Sequence, residues 1–216
     1  MAAKGLELPI FELPLVLLPG ELLPLHIFED RYQQMIGDCL DAEEPFGIVF
    51  RDDEGGARRI GCEARVTEVL ERFDDGRMNI VVTGERPFRV LDRFEAPAYP
   101  AGEVEPIEGE VLEEEREPSD PANEPEGELA RRAFAALVEI VSGEAPDGPD
   151  LEAESSYDLA ARVELPSDTK QRLLELRSEP ERMRVLGNAL RALVDAVDRS
   201  QEVAERARMN GKVIVG

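Results

Sequence analysis

The 216-residue chain has no tryptophan, one histidine and two cysteines. A single histidine, His26, excludes the H-E-x-x-H zinc site and any two-histidine relay. Cys39 and Cys62 are too few for a disulfide framework and too far apart for a C-x-x-C metal or redox motif, so they read as buried apolar fillers. Positive charge is scarce: 25 Lys plus Arg stand against 48 Asp plus Glu, a net charge of -23. A chain so acidic repels phosphate backbones and anionic lipid, which disfavours nucleic acid and membrane surfaces as partners. Long apolar runs are missing too. Leu6 to Phe28 is interrupted by Pro9, Glu12, Pro14, Pro19, Gly20, Glu21 and Pro24, leaving no run of about 18 apolar residues to span a bilayer. The start carries one lysine and leads into prolines rather than the apolar region of a signal peptide, so a cytoplasmic location is expected.

Catalytic signatures are equally sparse. There is no G-x-S-x-G elbow and no G-x-G-x-x-G, and Gly211-Lys212 has Arg206 where a P-loop needs its first glycine. A Ser-His-Asp triad could be built only through His26, which reads as a structural residue at a strand-to-helix turn. Lys4 and Lys212 sit near the termini, where exposure keeps an amine a poor base, and Lys170 is the one lysine left for a Ser-Lys dyad. Glu43-Glu44, Asp52-Asp53 and Glu113-Glu114-Glu115 read as solvated loop charges, because an acid/base pair needs a partly buried member. Asp52-Asp53-Glu54 could catch a hard cation weakly but lacks the spacing of a calcium loop. No catalytic residue, cofactor or metal ligand is assigned.

With 42% hydrophobic residues the chain can still bury a core. The first hundred residues read as β-rich with one helix. Leu6 to Leu17 is extended because each proline forbids helix, and Pro19-Gly20 is a turn. Glu29 to Asp41 is helical, with Tyr32, Met35, Ile36, Cys39 and Leu40 on one face that should pack on the sheet. Strands are expected at Phe46–Phe50, Ile60–Phe73, Met78–Thr83 and, beyond Gly84, Phe88–Phe94, with a hairpin at Asp74-Asp75-Gly76 and a Pro/Gly-punctuated segment at Tyr99–Ile107. Short strands joined by tight turns suggest a small barrel. Arg51, Arg58, Arg59, Arg65 and Arg72 have acidic neighbours and no aromatic stripe beside them, so a salt-bridged sheet face is expected there rather than a nucleic-acid surface.

The remainder reads as helical. Glu128 to Val141 carries Leu129, Phe134, Leu137, Val138 and Val141 on one side. Ser155-Ser156-Tyr157-Asp158 fits a capping box, Ser167 is expected to cap Thr169–Leu176, and Ser178-Glu179-Pro180-Glu181 opens a long last helix with a Met183, Leu186, Leu190, Leu193, Val194, Val197 stripe, ended by Asn210-Gly211. The expected division is a β-rich lobe at 1–112, an acidic linker at 113–127 and a helical subdomain at 128–216. The charge is local: residues 101–155 hold 18 acidic and 3 basic side chains, so the linker should stay solvated, and deleting 113–124 should leave folding nearly intact.

The string Leu8 to Tyr32, with Pro19-Gly20 and then Leu25-His26-Ile27-Phe28-Glu29-Asp30-Arg31-Tyr32, closely resembles the opening of the substrate-binding N-terminal domain of the Lon protease family. Phe46-Gly47-Ile48-Val49, Ile60 to Ala64, Gly84 to Val90, Lys170 to Glu175, Arg182 and Asn210-Gly211 continue the resemblance. It implies an α+β fold: a small PUA-like β pseudo-barrel with one packed helix, followed by a helical subdomain. It further implies a non-catalytic polypeptide-binding module, similar in layout to stand-alone Lon N-terminal domain proteins, that would act as adaptor, holdase or regulator in protein quality control. The partners so implied are unfolded or tagged polypeptides and a separate protease or chaperone. The family's ATPase and Ser-Lys peptidase are not carried over. Candidate polypeptide-binding side chains are Leu23, Leu25, Phe28, Phe46 and Phe88, each weighed against core packing, while Glu29 and Arg31 are expected to fix the helix start. The alternatives are RNA binding on the PUA-like fold, or a hydrolase around His26.

Overall fold

A computed structural model describes residues 6–52, 54–95, 98–107, 125–144, 146 and 155–210. By internal contacts the chain divides into two units, Met1–Val111 with Ser156–Glu179, and Leu112–Ser155 with Pro180–Gly216.

The first unit is built on β1 (Leu6–Leu13), β2 (Leu22–Ile27), α1 (Asp30–Ala42), β3 (Phe46–Arg51), β4 (Ala57–Arg72), β5 (Met78–Glu95) and β6 (Pro100–Pro106). β1 pairs in parallel with β3 and, through its first half, antiparallel with β6; β6 also pairs with β5. The ring β1-β3-β4-β5-β6 therefore closes on itself, while β2 adds to β5 outside it. This is the expected pseudo-barrel. Its centre holds Leu8, Ile10, Val49, Phe88, Val90 and Val104. The Phe88 ring lies over two glycines: a Cβ on Gly47 would fall 2.5 Å from Phe88 Cζ, and one on Gly61 2.8 Å from it.

β4 and β5 are each one long strand. The sequence suggested a break at Gly84, but β5 runs through it, and register shifts at Cys62/Ala64, Val66/Glu68 and Val69/Glu71 bend the β4–β5 ribbon instead. The early part of β4 and the late part of β5 belong to the ring; Arg65–Arg72 and Met78–Thr83 form, with β2, a three-stranded wing. At the tip the expected hairpin is present, with Gly76 at φ 89. Phe73 N–H donates to the Arg77 carbonyl over 2.9 Å.

α1 buries Tyr32, Met35, Ile36 and Cys39, as its periodicity required. It meets β1 where the Phe11 and Tyr32 rings pack at 4.1 Å between centres, tilted by 33°. Glu29 precedes it without a side-chain cap, and Glu43 ends it in the left-handed region at φ 56.

Two short helices, α3 (Ser156–Ala160) and α4 (Ser167–Glu175), belong to the first unit; in the chain they follow α2 (Pro125–Ser142), which belongs to the second. The expected 128–216 block is thus divided by the contacts its parts make. Gln171 Nε2 donates to the Ile60 carbonyl of β4 over 3.2 Å. Lys170 pairs with Glu21 in the Pro19-Gly20-Glu21 turn. Ser167 is not the cap that was expected: α4 already includes it, Pro166 precedes it, and the Pro166 carbonyl accepts from Thr169 and Lys170 N–H. Ser156 sends its N–H and hydroxyl, at 2.6 and 2.8 Å, to the carboxylate of Glu179.

The second unit contains α2 (Pro125–Ser142) and most of α5 (Glu179–Asn210). Ala130, Ala133 and Phe134 of α2 and Met183, Leu186 and Leu190 of α5 are buried. A Cβ on Gly187 would come within 3.2 Å of the Ala130 nitrogen, so the two helices touch backbone to backbone there. The expected linker core, 113–124, and the terminator Gly211 lie outside the described residues.

Candidate functional site

The alternation of β2 decides which of its side chains can meet another molecule. Leu23 faces Val82, Leu25 faces Ile80 and Ile27 faces Met78 across the ladder; all three partners are buried. Directly opposed residues share a face of the sheet, so Leu23 and Leu25 turn toward the interior and are half-buried. Leu22, Pro24 and His26 take the outer face, opposite Thr83, Val81 and Asn79.

The candidate residues therefore part company. Phe28, just beyond β2, is 62% exposed. Phe46 and Phe88 are 0% exposed, sealed in the core, and present no surface to a polypeptide. Leu22, 65% exposed, was missed from the sequence, as was the half-buried Phe73 at the hairpin tip. The signal for Leu22 was the period-two alternation of Leu22–Ile27, which three closely spaced prolines hid.

On the outer face the rings gather. His26 stacks on Phe28 at 6.1 Å and meets Phe73 edge-on at 6.2 Å. The Arg77 guanidinium lies 5.1 Å over the Phe73 ring. A polar row crosses the three strands beside these rings: His26 Nδ1 is 2.6 Å from Asn79 Oδ1, and Asn79 Nδ2 donates to Glu71 Oε2 over 3.1 Å. His26 is thus bridged within the sheet, and no serine or thiol lies in this row to make it a base for hydrolysis.

Of the arginines singled out in the β region, Arg51 and Arg65 are held by carboxylates. Arg51 pairs with Glu12 at 3.0 Å and Arg65 with Glu85 at 2.5 Å. Arg65 also donates to the Glu43 carbonyl over 2.6 Å, and its hydrogen bond to Glu85 raises its pKa. Arg31 pairs with Glu29 at 3.0 Å at the start of α1. Asp52 closes its own loop by accepting from Gly56 N–H over 2.7 Å.

A pocket of about 270 Å³ beside the end of α1 is lined by Cys39, Leu40, Glu43, Glu44, Arg65 and Val66. It offers no nucleophile, since burial, helped by Asp38 and Glu44, pushes the Cys39 thiol up to about 11. Burial raises Cys62 as well. Among the described residues no three His, Cys, Asp or Glu side chains converge to hold a metal, and no helix is long and apolar enough to cross a membrane.

Residues 7–192 match the family model described as the ATP-dependent protease La (LON) substrate-binding domain. A curated Lon protease of Paraburkholderia phytofirmans is 22% identical over 93% of this chain, which spans 26% of that relative's length. Among solved structures, a Lon N-terminal domain protein from Xanthomonas campestris is 25% identical with a TM-score of 0.60, covering 84% of this chain and 96% of its own. The N-terminal domain of a Mycobacterium avium complex Lon protease is alike in fold, with a TM-score of 0.64 at 18% identity over 85% of this chain and 97% of its own.

Proposed function

Because the chain belongs to the ATP-dependent protease La (LON) substrate-binding domain family, we propose that it captures polypeptides in the cytoplasm without an ATPase or peptidase step of its own. Its role would be that of an adaptor, holdase or regulator in protein quality control, taking unfolded or tagged chains and working beside a separate protease or chaperone. The observation that carries this reading is the outer face of the wing, where exposed Phe28 stacks on the His26 ring beside Phe73 and Leu22 is exposed farther along β2. Adjacent exposed apolar side chains, bordered by polar ones, mark a surface that gains by covering. Leu23 and Leu25 support this face from beneath, half-buried against Val82 and Ile80.

The test is a titration of the full chain with a fluorescently labelled, permanently unfolded protein, with and without ATP. Saturable binding that ATP leaves unchanged is the expected result. No binding to any unfolded chain would remove the reading.

A further inference from the structure

α1 ends on the wrong charge. A helix C-terminus carries the negative end of the backbone dipole and is stabilised there by Lys, Arg or His. The last turn of α1 holds no basic residue, and the chain around it reads Asp38, Asp41, Glu43, Glu44. The helix carbonyls are closed by backbone: Glu44 N–H donates to the Cys39 carbonyl over 3.0 Å and Glu43 N–H to that of Leu40 over 3.4 Å. The carboxylates are not closed in the same way. Asp38 accepts from the Tyr99 hydroxyl over 3.0 Å, which brings no charge, and Asp41 and Glu44 have no cationic partner among the described residues.

These acids stand at a cavity. In the wall of the 270 Å³ pocket, Cys39, Leu40 and Val66 are apolar, Glu43 and Glu44 are negative, and Arg65 is the one cation. Arg65 is already engaged by the Glu85 carboxylate and the Glu43 carbonyl. The negative field reaches into the pocket, because Asp38 and Glu44 add to burial in pushing the Cys39 thiol up. The volume falls just below the roughly 300–1,000 Å³ of small-molecule sites and suits one long side chain. A wall that is part apolar and part acidic matches an apolar stem with a cationic head and repels an anion.

The position of the pocket says how such a side chain arrives. β3 pairs with β4 only as far as Phe46 opposite Ala64, because the residues before Phe46 turn away to the end of α1. From Arg65 to Arg72, β4 has β5 on one side and no described strand on the other. That free edge begins at Arg65 and Val66, the two β4 residues that line the pocket. An extended segment added to the edge would pass the pocket at its first residues.

We propose that the pocket at the end of α1 binds a lysine or arginine side chain of an extended polypeptide whose backbone lies along the Arg65–Arg72 edge of β4. The stem packs on Leu40 and Val66, and the cation meets Glu43, Glu44 and the negative end of α1. This assignment rests on the polypeptide-binding reading above and names a side chain that the client carries.

The experiment is fluorescence anisotropy of the full chain with labelled peptides of matched length and sequence, bearing either Lys or norleucine at the central position. The Lys peptide should bind about tenfold more tightly. The double variant Glu43→Gln/Glu44→Gln should weaken the Lys peptide about fivefold or more and leave the norleucine peptide unchanged. It should melt no earlier than the parent, since it removes like charges from the negative end of a helix. The control Asp195→Asn/Asp198→Asn, which removes two exposed charges of α5, should keep full affinity. Equal binding of the two peptides, full affinity in the Glu43→Gln/Glu44→Gln variant, or an equal loss in the α5 control would overturn this assignment. Displacement of the Lys peptide by an equal concentration of pentylamine would overturn it too, by showing a site for free amines. In each of these cases capture of unfolded chains elsewhere would still stand. If neither the peptides nor any unfolded protein bound, the general reading would fall with it.

Discussion

Lys170 of α4 and Glu21 of the Pro19-Gly20-Glu21 turn form an ion pair across 149 positions of sequence, with both side chains only 14% exposed. The same carboxylate accepts from the Leu18 N–H over 3.0 Å. Removing either partner leaves the other charge half-buried and unpaired, at a cost of about 2 kcal/mol. Glu21→Gln and Lys170→Met should each lower the urea midpoint, and the double variant should lose clearly less than the two losses added. Strict additivity would show that the pair contributes nothing.

Gly84 is expected to tolerate no side chain. A Cβ there would sit 2.1 Å from the Leu18 carbonyl oxygen and 3.2 Å from Cys62 Sγ. Because the first obstacle is backbone, the turn before β2 must move to admit it. Gly84→Ala should cost about 3 kcal/mol in chemical denaturation. A loss within experimental error would mean that this close approach is not maintained in solution.

Phe46 and Phe28 should separate stability from binding. Phe46→Ala empties a fully buried site and should cost about 4 kcal/mol. Phe28→Ala removes an exposed ring and should change stability by no more than about 0.5 kcal/mol while lowering affinity for unfolded protein. The pair is read by thermal melts and the same binding titration. If Phe28→Ala melted early and Phe46→Ala did not, the burial pattern described for β2 and β3 would be wrong.

Alkaline conditions should loosen the fold. Burial pushes the Cys39 thiol from 9.0 up to about 11. Burial also raises Tyr32 and Tyr99, the latter helped by its hydrogen bond to Asp38. Each group keeps its proton in the folded state at a pH where the unfolded chain has released it. Their contribution is therefore complete below the unfolded values and is lost as pH rises through the folded ones. The melting temperature should fall as pH rises from about 9 to about 11, less steeply in Cys39→Ala. A level profile over that range would contradict the shifts.

Local pattern carried much of this fold. The three-and-four spacing of Tyr32, Met35, Ile36 and Cys39 gave the buried face of α1, and Asp74-Asp75-Gly76 gave the hairpin, because each depends on neighbours in sequence. β2 was hidden because Pro24 argues against a strand until one knows that its missing N–H faces away from β5. Gly84 imitated a break because its reason for being glycine, the Leu18 carbonyl, lies elsewhere in the chain. The attachment of α3 and α4 to the barrel rests on Lys170 and Gln171 reaching Glu21 and Ile60, contacts that no periodicity announces. Of the candidate site, Phe28 was legible and Leu22 was not. Phe46 and Phe88 were drawn in because large apolar side chains look alike in sequence whether they fill a barrel or cover it.

Closure of the ring leaves, among the described strands, β2 and the Arg65–Arg72 part of β4 as edges through which like molecules could add to one another. An edge with unbroken donors and acceptors templates stacking, and stacked strands become fibrils. Pro24 removes one rung in the middle, so a visiting segment can be held at its two ends but cannot hand on a continuous ladder to the next. Proline in the middle of β2 thus works against polymerisation of the molecule along that edge.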